Sequence, residues 1–504
     1  MVRSVPGEAA LRVVGLAVLL PLAACAVGPD FNRPAPPDAA GYTQAPLPAT
    51  TASANTTNGA PQLFVSGADV PGQWWTLFRS EPLNALVEQA LAANPNANAA
   101  QAALRQAREL VYAQQGAFYP LVSAGVSASR NLTPTGSISP ASASGNPYYS
   151  LITPQLNVSF VPDIFGENAR TVESLSAQAE NQRFQLEATW LTLITNVVAA
   201  AVQEASLRAQ IATVKETIRI ATDLLGILRK QSALGQVAGV DVAAQEAALA
   251  QAELGLPPLN KQLAQQRDLL AALTGHGPSD EVPARFELAS LTLPLDLPVS
   301  LPAQLVEQRP DVRAAEATLH ATSAQIGIAV AARLPQISLT GSVGSSANRL
   351  ATLFTPGNNF WTIAAGLTQP IFQGGTLVHK QRAAEAAFDQ AAAQYRGTVL
   401  TAMQNVADTL HALLSDADAL RAAVRAERAA ERSLAITRRQ LQLGQIAYLG
   451  LLNAEQTYQQ ARLALVQAQA NRLADTAALF QALGGGWWNR PAGNSMETAA
   501  KAER

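Results

Sequence analysis

The 504 residues contain one cysteine, Cys25, so no disulfide framework can hold this fold. Charged residues make up only 14% of the chain and the formal net charge is −2, which leaves no basic field for nucleic acid. No internal apolar run reaches the roughly 18 residues of a membrane-spanning helix. The nearest, 190–202, is interrupted by Thr192, Thr195 and Asn196, so no conventional transmembrane helix is expected in the mature chain. His276, His320, His379 and His411 are scattered, without the spacing of a metal site. No nucleophile elbow, phosphate loop or dinucleotide fingerprint occurs, so neither enzyme chemistry nor a cofactor is expected.

Proline and glycine are missing where their absence says most. Two blocks of about 68 residues, 167–234 and 376–443, contain no proline and one glycine each, Gly226 and Gly397. As a single helix each would run on the order of 100 Å. Both blocks end on nearly the same word, Leu234-Gly235-Gln236-Val237-Ala238 and Leu443-Gly444-Gln445-Ile446-Ala447. Both follow a short strand-like run closed by glycine, ending at Gly166 and at Gly374-Gly375. Matching landmarks lie about 209 residues apart, the mark of a tandem duplication. Helices this long do not fold back into a compact core; they suit tubes, spacers or filaments.

One repeat reads as a short helix at 83–91, a break at Asn94-Pro95, and a second helix to about Phe118. The other copy has 304–308, Arg309-Pro310, and a helix to about Arg333. Tyr119-Pro120 and Leu334-Pro335 end these helices, and after each the period changes to two. Alternation over 121–129, 155–160, 337–343 and 361–368 gives four strands in two pairs. Such strands could be half-buried hairpins of a soluble domain or membrane strands, apolar outward and polar inward. Polar faces nearly free of charge favour the membrane. Four strands cannot close a barrel, and open edges are not tolerated in lipid, so several chains must share one barrel. Return helices are expected over 240–273 and 448–483; Pro257-Pro258 kinks the first only.

Arg3 and Arg12 precede an apolar run that meets Leu22-Ala23-Ala24-Cys25, the layout of a secretory signal over 1–24. The word before Cys25 resembles a bacterial lipoprotein signal, in which that cysteine is lipidated and becomes the mature N-terminus; an ordinary signal peptide with an incidental cysteine is the alternative. Ala26 in place of aspartate then favours the outer membrane. Residues 34–71, rich in Pro, Ala, Thr and Ser, predict an extended, mostly unstructured strap within an N-terminal segment 25–82. The repeats then occupy 83–281 and 300–486, with strands at about 121–161 and 335–371, and 487–504 reads as a frayed tail.

Several words in order resemble the outer-membrane efflux proteins of the TolC family. The similarity is to the NodT-like lipoprotein branch that serves resistance-nodulation-division pumps. They are Cys25 with Gly28-Pro29-Asp30-Phe31, Trp74-Trp75-Thr76-Leu77-Phe78, and Arg309-Pro310-Asp311-Val312-Arg313-Ala314-Ala315-Glu316. Further matches are Arg333-Leu334-Pro335-Gln336-Ile337, Gln369-Pro370-Ile371-Phe372-Gln373-Gly374-Gly375 and Ala482-Leu483-Gly484-Gly485-Gly486-Trp487. The resemblance implies a homotrimer: a twelve-stranded outer-membrane barrel continuing into a periplasmic coiled-coil tube of twelve helices. It further implies docking with a periplasmic adaptor and an inner-membrane pump, and passive export of small molecules such as drugs and toxic compounds.

On that resemblance Leu234–Ala238 and Leu443–Ala447 match the adaptor-docking tips; capping turns alone would also account for their glycines. The pore constriction falls on Leu449 and Asn453, four apart and therefore on one helix face. Relatives often carry aspartate where Asn453 stands, so weaker cation selectivity is expected here, with Glu455 pointing elsewhere. A protein-secretion conduit is the alternative within transport. An anchored coiled-coil spacer without a pore is the alternative outside it, and it has no need of strands.

Overall fold

The structure, a computed structural model, describes residues 26–39, 41–132, 148–280 and 282–490. The expected signal peptide, Cys25 and residues 491–504 of the tail lie outside the described residues. In chain order the elements begin with β1 (Leu63–Ser66), α1 (Glu81–Ala93), α2 (Pro95–Gln115), β2 (Leu121–Leu132), β3 (Tyr148–Phe160) and α3 (Glu167–Ala233). Next come α4 (Gly239–Leu254), α5 (Leu256–Leu273), β4 (Asp296–Val299), α6 (Pro302–Gln308) and α7 (Pro310–Ala331). The chain continues through β5 (Gln336–Ser345), β6 (Asn359–Thr368), α8 (Thr376–Gln442) and α9 (Tyr448–Ala482). The two proline-free blocks are continuous helices of 67 residues each.

Two compact units share the chain. The first holds residues up to Arg33, Leu104–Gln182 and Ala315–Tyr395. Its sheet is antiparallel, in the order β2-β3-β5-β6, with Leu121 opposite Ser159, Phe160 opposite Leu339 and Gln336 opposite Thr368. The outer edges of β2 and β6 have no partner among the described residues.

The N-terminal motif is fastened inside this unit. Arg170, buried on α3, bonds the Val27 carbonyl at 3.2 Å and pairs with Asp30 at 2.8 Å. Phe31 stacks on His320 at 4.4 Å, and His320 meets Glu173 at 2.9 Å. Burial alone would raise the Glu173 carboxyl; hydrogen bonds from Arg170 and His320 hold it below the usual range instead. His320 therefore packs against the N-terminal motif.

The second unit holds Pro34–Ala103, Arg183–Ala314 and residues from Arg396 onward. Trp74, Phe78, Leu83, Leu270 and Phe480 form its core, with Trp74 stacked on Phe480 at 5.2 Å. Corresponding corners of the two halves are built alike. Asn94 Nδ2 donates to the Leu273 carbonyl and Arg309 Nη1 to the Ala482 carbonyl, each at 2.9 Å. Gly275 and Gly484 have φ of +79° and +92°, and a Cβ on either would lie 2.6 Å from a carbonyl oxygen of the preceding corner. The return helices differ as expected. The first breaks at Gly255 into α4 and α5, since Pro257 and Pro258 offer no N–H to continue it, whereas α9 runs unbroken.

Three expectations require correction. The strap is not mostly unstructured. Leu63–Ser66 forms β1, parallel to β4, and Thr51, Gln62 and Val70 are buried. Arg472 of α9, fully buried, holds it through Thr51 Oγ1 at 2.9 Å, the Ala60 carbonyl at 2.8 Å and Gln62 Oε1 at 3.2 Å. Composition misled here because small polar residues lack an apolar pattern yet satisfy a buried guanidinium well. The tail is also ordered as far as Arg490: Trp487 Nε1 donates to the Gln308 carbonyl at 2.7 Å, and Arg490 pairs with Glu187 at 3.0 Å. Finally, α3 does contain a stretch long and apolar enough to cross a membrane, and 56% of it is buried inside the protein. Core packing, not lipid, accounts for that stretch.

Beside the strap, Asp416 on α8 shares a hydrogen bond with Asp475 on α9, and its Oδ2 is buried without a donor. A proton on one of the two carboxylates would supply the donor that this contact lacks. Burial, then the Asp475 contact, push the Asp416 carboxyl up to about 7 from 3.8. A folded-state value above the unfolded one means that the native chain binds the proton more tightly. This contribution to stability is complete below about pH 4 and is lost as pH rises toward 7. Thermal melts of Asp416→Asn across this window should show a flatter pH dependence than wild type, with the variant more stable at neutral pH.

Candidate functional site

The two helix tips are built from the same parts. Gly235 and Gly444 sit in the left-handed region at φ +72° and +69°. Gln236 N donates to the Gln231 carbonyl and Gln445 N to the Gln440 carbonyl, both at 2.9 Å, closing a Schellman turn on each long helix. Leu234 and Leu443 stand 72% and 56% exposed on the outside of these turns. Gln236, Ala238, Gln445 and Ala447 are exposed beside them, while Val237 and Ile446 turn partly inward. One ion pair crosses each hairpin at the same level, Arg229–Glu246 at 2.7 Å and Arg438–Glu455 at 3.3 Å. Burial raises the Glu455 carboxyl and Arg438 draws it back down. Glu455 thus points at α8, away from Leu449 and Asn453, as the sequence predicts.

An apolar cluster joins the two tips. Leu228 and Leu434 from the long helices meet Tyr448, Leu451 and Leu452 at the start of α9, with Val237 and Val242 packed against them. Within it the Tyr448 hydroxyl donates to Gln245 Oε1 at 2.7 Å, and Gln245 Nε2 donates to the Ala221 carbonyl at 2.8 Å. Gln245 is fully buried, and burial raises the Tyr448 hydroxyl above its ordinary range, so it stays a donor. Sequence reasoning missed this pair. The signal available was a break in the repeat: Tyr448 stands where the first copy has Gly239. The opposite face of α9 carries Leu449, 60% exposed, and Asn453, also exposed.

The sheet separates its faces by chemistry. Register aligns Val122 with Val158, Leu156 with Val343, Val343 with Trp361, and Ile337 with Leu367 on one face. Ser123 with Asn157, Asn157 with Ser342, and Ser342 with Thr362 form the other. Trp361, Ile363 and Leu367 are among the most exposed large apolar side chains described. Arg130 is the only charged residue in the four strands. An apolar face beside an uncharged polar one suits a lipid exterior and a watery interior. The spacer reading offers no use for this sheet.

Comparison with known proteins agrees. The family model for outer membrane efflux proteins matches residues 86–276 and 301–485. The probable efflux pump outer membrane protein TtgC of Pseudomonas putida is 27% identical over 475 residues, covering 93% of this chain and 94% of that one. The solved outer-membrane channel OprN aligns with a TM-score of 0.81 at 26% identity, over 92% of this chain and all of that one. The open state of the Neisseria gonorrhoeae MtrE outer membrane channel aligns at 0.79 and 26% identity, over 92% and 98%. The chain belongs to the outer membrane efflux protein family, and it is a channel rather than an enzyme.

Proposed function

We propose that three copies of this chain form an efflux conduit through the outer membrane, lipid-anchored at Cys25 and completed by a periplasmic adaptor and an inner-membrane pump. The observation that carries this reading is the four-stranded sheet with an apolar face, an uncharged polar face and two edges unpaired among the described residues. Edge strands in lipid must be paired, so β6 of one copy meets β2 of the next, and three copies give twelve strands. The two halves, 83–281 and 300–486, act as tandem repeats, supported by matching tips, ion pairs and corners. Small molecules are the cargo, in keeping with the description of TtgC as an efflux pump component.

Cysteines at Gly125 on β2 and Ala364 on β6 test the assembly, because a lipidated Cys25 has no free thiol. Oxidative cross-linking in membranes should give dimer and trimer bands. Monomer alone across neighbouring pairs of the two edges would contradict a shared barrel.

Leu234 and Leu443 are exposed apolar side chains on the turns of the two tips, and they serve as anchors for the adaptor. Leu234→Glu with Leu443→Glu is expected to lower drug resistance to that of a strain lacking the protein. Trimer yield and melting temperature should stay near wild type, since neither side chain packs in the core. Resistance at the wild-type level would remove the tips from docking.

Leu449 and Asn453 form the narrowing. Three Asn453 amides exert no net field, so reversal potentials in a salt gradient should show weak cation preference. Asn453→Asp should strengthen it through three added carboxylates.

A further inference from the structure

The charge of the sheet lies wholly at one end. Residues 121–160 and 336–368 contain two charged side chains, Arg130 and Arg349, and no carboxylate. The helices α2, α3, α7 and α8 join the sheet at its opposite end. Register brings the two arginines together: Ile152 pairs with Ala128 on one side and Ala347 on the other, and each arginine follows its alanine by two residues. Arg130 stands on the apolar row, in step with Val122 and Val126. Both arginines are exposed, and neither guanidinium has a partner among the described residues.

Beside them, on the apolar face, runs a groove of about 600 Å³. Ala124, Val126, Pro154, Leu156 and Val343 line it, and Phe354 from the loop between β5 and β6 borders it. Its polar side chains are mostly turned away or engaged. Gln155 belongs to the polar face, where its Nε2 donates to Asn157 Oδ1 at 3.1 Å, and Ser345 Oγ meets the Leu353 and Asn358 carbonyls. That leaves Asn359, exposed at the edge. Phe354 is 78% exposed, a ring that faces water unless something apolar covers it.

An apolar groove ending at two cations without a counter-charge fits an amphiphile, with a chain in the groove and an anionic head beyond it. Val126 and Arg130 are four residues apart, about 13 Å along the strand, within the compass of a headgroup and its first carbons. Arginine suits that head, because its planar fork meets phosphate oxygens with two parallel N–H bonds. We propose that this end of the sheet binds a phosphate-bearing lipid of the outer leaflet. Its head lies on Arg130 and Arg349, and one acyl chain lies along Val126, Leu156, Val343 and Phe354. Three copies gather three such arginine pairs at one rim, and the bound phosphates neutralise them. This rests on the reading of the sheet as part of a shared membrane barrel, and the test separates the two.

Native mass spectrometry of the detergent-purified oligomer, mixed with diphosphoryl lipid A, reports assembly and lipid together. The expected spectrum is a trimer holding one lipid per copy after collisions that strip phosphatidylethanolamine. Arg130→Gln with Arg349→Gln should cut the retained lipid roughly tenfold, and Phe354→Ala should also lower it. Ile363→Ala, exposed on the same face but outside the groove, should leave it unchanged. Equal retention in the arginine or Phe354 variant, or displacement by millimolar inorganic phosphate, would overturn the site while the trimer stands. Absence of any trimer would overturn both.

Discussion

Replacing Arg472 with leucine should release the strap from the body of the protein and destabilise it by on the order of 3–5 kcal/mol. The guanidinium is fully buried and donates to Thr51 Oγ1, the Ala60 carbonyl, Gln62 Oε1 and, at 3.3 Å, the Asn58 carbonyl. Removing it strands several acceptors that water cannot reach, at about 1–3 kcal/mol each before relaxation. It also leaves the Asp416–Asp475 pair without the nearby cation that draws Asp416 down. Lysine should rescue little, because one ammonium cannot span acceptors fixed for a planar fork. Limited proteolysis is the direct assay: new cleavage within 51–62, absent from wild type, is the expected outcome. An uncleaved strap and an unchanged melting temperature would show that the clamp is dispensable.

Breaking the Tyr448–Gln245 bond should loosen the second tip without unfolding it. Tyr448→Phe leaves Gln245 Oε1 buried and unmet in this arrangement, at about 1–3 kcal/mol, while the apolar cluster keeps its volume. An opening that parts α9 from the first hairpin would let water reach that oxygen, so the cost would fall on the arrangement seen here alone. Since about 1.4 kcal/mol is tenfold in an equilibrium constant, the open fraction should rise roughly tenfold. Arg438→Ala should add little: its partner pair is partly exposed, and such pairs contribute less than about 1 kcal/mol. Recordings of open probability would check the ranking. Equal effects from both variants would place the latch in the ion pair instead.

Local rules made most of the architecture legible. The glycines that follow the two long helices, Gly235 and Gly444, mark their C-terminal ends to within two residues, because each sits in the left-handed region that closes the last turn. Proline at Tyr119-Pro120 and Leu334-Pro335 marks the change to period two, and all four strands follow. What stayed hidden depends on partners far along the chain. The strap looked disordered because Thr51 and Gln62 are buried by Arg472, more than 400 positions away. β1 and β4, four residues each, carry no alternation long enough to read. The Tyr448–Gln245 latch joins two repeats at places where their sequences differ, so reading one repeat by the other conceals it. Helical spacing puts Leu449 and Asn453 on one face, but their assignment to a constriction rests on the family resemblance.

The most direct measurement is single-channel conductance of the purified oligomer in a planar bilayer, with wild type beside Leu449→Ala/Asn453→Ala. A conduit narrowed at the second tip predicts small wild-type events and clearly larger ones once both side chains are shortened. Conductance absent from both proteins, or unchanged between them despite correct assembly, would contradict a gate at this point of the chain.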